Sequence, residues 1–167
     1  MKGYNPETTT TGVGFQYHMF VQNFSNVYKE LRRNGYDPQI KGMAWMQGES
    51  DLGDEGRYKI TLKWMIADLR NDLYEITKKE DVKTMPFVIG KIATTFNSYA
   101  NPLVPRMNIA QQAVANEMEN VETIETSDLI IVRADGSING SDRYHFNYRD
   151  METLGMRFGE KIIGDES

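Results

Sequence analysis

The stretch IKGMAWMQGESD, Ile40 to Asp51, passes in twelve residues from an apolar run to a glycine set between an amide and two acids. Its first part is short, apolar and bounded by turn signals, which suits a buried strand. Its second part is a polar loop at the end of that strand. Outward from here the pattern alternates. Upstream, Phe20, Phe24, Val27 and Leu31 recur at spacings of four, three and four, which predicts an amphipathic helix ending at Asn34-Gly35. Downstream, Tyr58, Leu62, Met65, Leu69, Leu73 and Ile76 form the strongest helical stripe of the chain.

PFVIGKI, from Pro86, is a continuous apolar run with β-branched residues, the pattern of a parallel strand covered on both faces. A helix around Pro105 to Glu119 follows, with Ile109, Ala113 and Val114 as its apolar positions. Between Val121 and Val132, VETIET and LIIV supply one or two further strands, and Met151, Leu154, Phe158 and Ile162 close the chain as a helix. The order α-β-α-β-α-β-α argues an α/β layer fold around a parallel sheet. Residues 1–167 are expected to form one domain, with residues 1–14, which hold the threonine run Thr8 to Thr11, as a loop.

Composition narrows the function classes. The 167 residues carry 40% hydrophobic and 26% charged side chains, an ordinary globular balance. Net charge is −5 with both signs interspersed, so nucleic acid is not an expected partner. Cysteine is absent, which excludes thiolate metal sites and disulfides but fixes no compartment. No stretch approaches the ~20 apolar residues of a membrane span, and no signal peptide opens the chain. The expectation is a soluble protein without a membrane partner, in the cytoplasm, the periplasm or outside the cell.

In parallel sheets, ligands bind beyond the carboxyl ends of the strands. QGESD lies at one such end, and the loop after the last strand holds GSDRYHFN, Gly140 to Asn147. There Asp142 stands three residues before His145. A carboxylate at that spacing can accept a hydrogen bond from one imidazole nitrogen and leave the other as a general base; a loop capping contact is the ordinary alternative. In the first cluster, Gln47 offers an amide donor to an oxyanion and Glu49 a second carboxylate for a histidine. A strand-end turn with its acids in water is the competing interpretation. His18 reads as a partly buried helix residue. Glu49, Asp51, Asp54 and Glu55 do not follow the alternating pattern of a Ca²⁺ loop, and no metal is expected there.

Taken together, the two clusters carry a resemblance. WMQGESD resembles the Trp-x-Gln-Gly-Glu-x-Asp block of the sialate O-acetylesterase and acetylxylan esterase group within the SGNH (GDSL-type) hydrolases. DRYHF resembles the Asp-x-x-His-Phe block of the same group. PFVIGKI, QQAVAN and LGMRFGEKI fall between and after them in the family's order, so the resemblance runs from about Gly14 onward. It implies a three-layer αβα fold of flavodoxin-like arrangement and a cofactor-free serine esterase acting on acetylated carbohydrate, such as sialic acid or xylan. His145 would match the base, Asp142 or Glu49 its orienting carboxylate, and Gln47 a residue at the oxyanion hole. Ser50 and Asp51 would hold the turn.

The family's nucleophile stands in an early Gly-Asp-Ser or Gly-Gln-Ser-Asn block, and none of the seven serines here occupies one. The sheet is therefore expected to be incomplete on its N-terminal side, with the IKGMAWM strand at an open edge. Such an edge favours a homodimer or a rearranged fold. The alternative to an esterase is a non-catalytic lobe that binds sugar or assembles.

Overall fold

The computed structural model of the protein describes residues 14–93, 102–129 and 145–164. Among these, the order is helix α1 (Phe15–Arg33), strand β1 (Met43–Met46), helix α2 (Glu55–Thr77), strand β2 (Phe87–Gly90), helix α3 (Leu103–Glu117), strand β3 (Val121–Ile124) and helix α4 (Tyr148–Ile163). The alternation expected from the sequence is thus present. All of LIIV except Leu129, and the threonine loop, lie outside the described residues. No helix among the described residues is long and apolar enough to cross a membrane.

Backbone contacts divide the chain into two compact units, Met1–Ile40 with Asp68–Lys83, and Lys41–Ala67 with Thr84–Ser167. The second holds the sheet. Its strands run in the order β1-β2-β3, all parallel, with Met43 opposite Phe87 and Phe87 opposite Val121. All four residues of β2 are buried, as a central strand covered on both faces must be. β1 lies at one edge of the sheet among the described residues.

Strand alternation assigns the two faces. Phe87, Ile89 and Thr123 point one way, and there the Thr123 hydroxyl donates to Gln112 of α3 at 2.9 Å. Asn108 of α3 ties down the chain just past β2 from both sides. Its side-chain oxygen accepts from the Ile92 N–H at 2.9 Å, and its amide donates to the Ile92 carbonyl at 3.0 Å. Val88, Gly90 and Glu122 point the other way, toward α4, where Lys161 pairs with Glu122 at 2.6 Å. Phe158 of α4 fills the space left open at Gly90. The layering is helix, sheet, helix, the three-layer αβα fold.

The first part of α2 neighbours α3. Lys59 and Lys63 both reach Glu117 at 2.8 Å, and Tyr58 and Leu62 are buried. In the other unit, the Tyr17 hydroxyl donates to Asp72 at 2.6 Å, and Lys79 pairs with Asp37 at 2.9 Å. Burial and the neighbouring Asp72 carboxylate raise the Tyr17 phenol well above its ordinary value.

Two expected apolar faces are rotated. On α1, Phe20, Val27 and Leu31 are exposed, and the inward side runs through Tyr17, half-buried Phe24 and buried Tyr28. The polar tip of Tyr17 has a carboxylate to meet, which a hydrophobicity stripe does not register. On α3, Ile109 is 69% exposed while Met107, Ala110, Gln111 and Val114 are buried. A buried glutamine displaces the isoleucine from the inward face.

Two measurements probe this packing. A Cβ at Gly90 would stand 2.5 Å from the Met46 sulfur and 3.1 Å from Phe158. Gly90→Ala is expected to cost about 1–3 kcal/mol as overpacking, read as a lower urea midpoint at unchanged m-value. Hydrogen bonds from Lys59 and Lys63 hold the Glu117 carboxyl at about 2, below its ordinary 4.5. A depressed carboxylate stabilises the fold above its unfolded value, and that contribution fades as pH falls toward about 2. Glu117→Gln should flatten the acid limb of a melting-temperature profile between about pH 5 and about pH 2.

Candidate active site

β1 ends at Met46, and the chain must turn before α2 begins at Glu55. Gly48 makes the turn at φ 144°, a conformation open essentially to glycine. Space closes the matter, since a Cβ there would lie 3.0 Å from Ile92 and 3.3 Å from the Gln111 amide. The preceding carbonyl, of Gln47, accepts from the Tyr58 hydroxyl and from the Gln111 side-chain amide, each at 3.0 Å. Gln111 is fully buried and Tyr58 is 5% exposed. Burial pushes the Tyr58 phenol up, so it stays a donor.

Past the glycine, Glu49–Asp51 form one 3₁₀ turn, closed by the Asp51 N–H donating to the Gly48 carbonyl at 3.0 Å. The Gln47 amide donates to the Asp51 carboxylate at 2.6 Å. Asp51 therefore holds the turn, as its place in the block implied. Glu55 is spent on structure as well. It is buried, accepts from the Gly53 N–H at 3.1 Å and pairs with Arg106 at 3.1 Å. Of the four acids in this stretch, Glu49 is the one that lines the same cavity as His145.

The second cluster lies at the start of α4. Asn147 caps that helix, its side-chain oxygen accepting from the Asp150 N–H at 3.0 Å. Phe146 is buried and His145, one residue earlier, is exposed. An anchored phenylalanine and a cap thus fix the chain just after the histidine. Glu49, Ser50 and His145 together form the polar wall of one cavity of ≈ 520 Å³. Met46, Phe146, Leu154 and Phe158 line it with carbon.

The four residues singled out from the sequence fare differently. Glu49 and His145 meet at this cavity, one from the end of β1 and one from the approach to α4. The Gln47 side chain is turned to Asp51, leaving one amide hydrogen uncommitted by that bond. Asp142 lies outside the described residues. His18 sits half-buried inside α1, edge-on to Tyr17. The residues that sequence reasoning passed over are Tyr58 and Gln111. Tyr58 stood as one position of a helical stripe, and Gln111 entered only as part of the QQAVAN segment, with no role of its own.

Tyr58→Phe removes one donor to the Gln47 carbonyl and no carbon. It should cost about 1 kcal/mol in urea unfolding. It should also speed amide exchange of the Asp51 N–H relative to the amides of β2.

A family model described as carbohydrate esterase, sialic acid-specific acetylesterase, matches residues 4–164. No curated protein matches the chain. The match takes in residues of both units, the QGESD turn and the His145 segment. On that extent, this chain belongs to the carbohydrate esterase family of sialic acid-specific acetylesterases.

Proposed function

We propose that the chain carries the His145 and Gln47-to-Glu49 parts of a carbohydrate O-acetylesterase site, with His145 as the general base. The supporting observation is that Glu49 and His145, 96 positions apart in the sequence, reach one cavity beyond the carboxyl end of β1. The imidazole takes the proton of an attacking serine hydroxyl as the oxygen bonds to the acetyl carbon. It then returns that proton to the sugar oxygen as the ester C–O bond breaks. Water enters next, and His145 activates it in turn to release acetate and free the serine.

A carboxylate that accepts from the second imidazole nitrogen keeps the ring oriented through both steps. Glu49, on the cavity wall, and Asp142, three residues before the histidine, are the two candidates for that role. The Gln47 amide, held at the turn, is the donor proposed for the oxyanion. Ser50 lines the same cavity but belongs to the turn, and none of the seven serines stands in the family's nucleophile block. The acetylated sugar is of the sialic acid class, from the family's description.

The test is hydrolysis of 4-nitrophenyl acetate and of an O-acetylated sialic acid. His145→Ala should lower the rate by about 10²–10⁴-fold with an unchanged circular-dichroism spectrum. Full turnover in that variant would sink the proposal. Glu49→Gln and Asp142→Asn separate the two orienting carboxylates, because the one that matters lowers kcat with little change in KM.

A further inference from the structure

The cavity that Glu49 and His145 share has a buried floor and an exposed rim. Phe146, Leu154 and Phe158 are buried and close the floor with carbon. Met151 of α4 lines the same cavity but is 51% exposed, so it stands at the mouth. One turn earlier on α4 is Tyr148. It is 87% exposed, more than any other large apolar side chain among the described residues.

A single exposed aromatic is ordinary on a protein surface. Tyr148 is set apart by its place. It follows His145 by three residues and precedes Met151 by three, a spacing at which helical side chains are neighbours. Buried Phe146 and the Asn147 cap, 3.0 Å from the Asp150 N–H, fix the backbone on which it stands. Gly155 follows on the same helical face and also lines the cavity, where a Cβ would meet nothing within 4 Å. Along about 10 Å of α4, this face passes from an aromatic ring through a thioether to a gap.

A pyranose has a face of C–H bonds that its oxygens make partly positive, and an aromatic ring carries negative charge on its face. The two attract, while at an open rim the sugar hydroxyls keep their water. We propose that Tyr148 is a specificity-determining residue of this site, the platform on which the sugar ring of the acetylated substrate stacks, with Met151 beside it. The inference rests on the esterase reading for the identity of the ligand. The sugar occupies the rim, and its acetyl group reaches inward, the methyl to the carbon floor and the carbonyl to the wall of Glu49 and His145.

Sugar binding can be read apart from ester cleavage. The probe is free N-acetylneuraminic acid, which carries no ester, titrated into the protein labelled at tyrosine rings and methionine methyls. Among the nine tyrosines and ten methionines, Tyr148 and Met151 should give the largest shifts. Tyr148→Ala should weaken binding at least about five-fold, and Tyr148→Phe, which keeps the ring face, should hold it within about two-fold. Ethyl acetate has no ring to stack. Tyr148→Ala should therefore lower kcat/KM for an O-acetylated sialic acid at least about five-fold relative to ethyl acetate, mainly through KM.

Sugar binding that survives Tyr148→Ala overturns the platform, as does an absence of sugar binding or the movement of other tyrosines in place of Tyr148. An equal loss on both esters also overturns it, because the ring then supports the fold of the site and not the sugar. Tyr148-dependent sugar binding without hydrolysis of either ester removes the esterase reading and leaves the platform. Hydrolysis of both esters at an unchanged ratio in Tyr148→Ala does the reverse.

Discussion

The carbonyl of Gln47 accepts from Tyr58 and from Gln111, and three elements meet at that oxygen. It closes β1, it fixes the entry to α2 through Tyr58, and it anchors α3 through Gln111. A buried carbonyl left without partners costs more than an average hydrogen bond returns, so the pair is a constraint as well as a contact. With the oxygen held and Gly48 pressed against Ile92, the direction of the next residue is set. That residue is Glu49.

The sheet supplies the rest of the alignment. β2 lies between β1 and β3, buried on both faces, and its exit at Ile92 is clamped by Asn108 of α3. On the opposite face, Gly90 admits Phe158, which draws α4 close to the strand. The segment leading into α4 carries His145, so the closeness of α4 to Gly90 and the conformation of Gly48 act on one cavity from two sides. Small residues on β2 and at the turn do different work: one allows approach, the other allows a backbone conformation.

Much of the fold was legible because its strands carry their pattern in composition. Phe87 to Gly90 reads as a doubly covered strand, since no polar side chain interrupts it. Helix positions were legible too, but their facing was not. Periodicity marks Phe20, Val27 and Leu31 as a stripe, yet the Tyr17 hydroxyl finds Asp72 fifty-five residues away and turns the helix. Ile109 failed for a related reason, because Gln111 is buried by a bond to the Gln47 backbone that no local pattern announces. At the site, the acids of the block could be named but not sorted. Only geometry separates Asp51 and Glu55, which hold structure, from Glu49, which faces the cavity.

The chain's two tryptophans stand in contrasting surroundings. Trp45 is half-buried in β1, tilted against Phe87 at 6.1 Å, two residues before the held carbonyl. Trp64, on α2, is 62% exposed. Their fluorescence is therefore separable by position alone. An aqueous quencher extinguishes the red-shifted emission of Trp64 first, and the light that remains comes from the strand that ends at the site. The protein carries a built-in optical probe of its own turn, readable without a label.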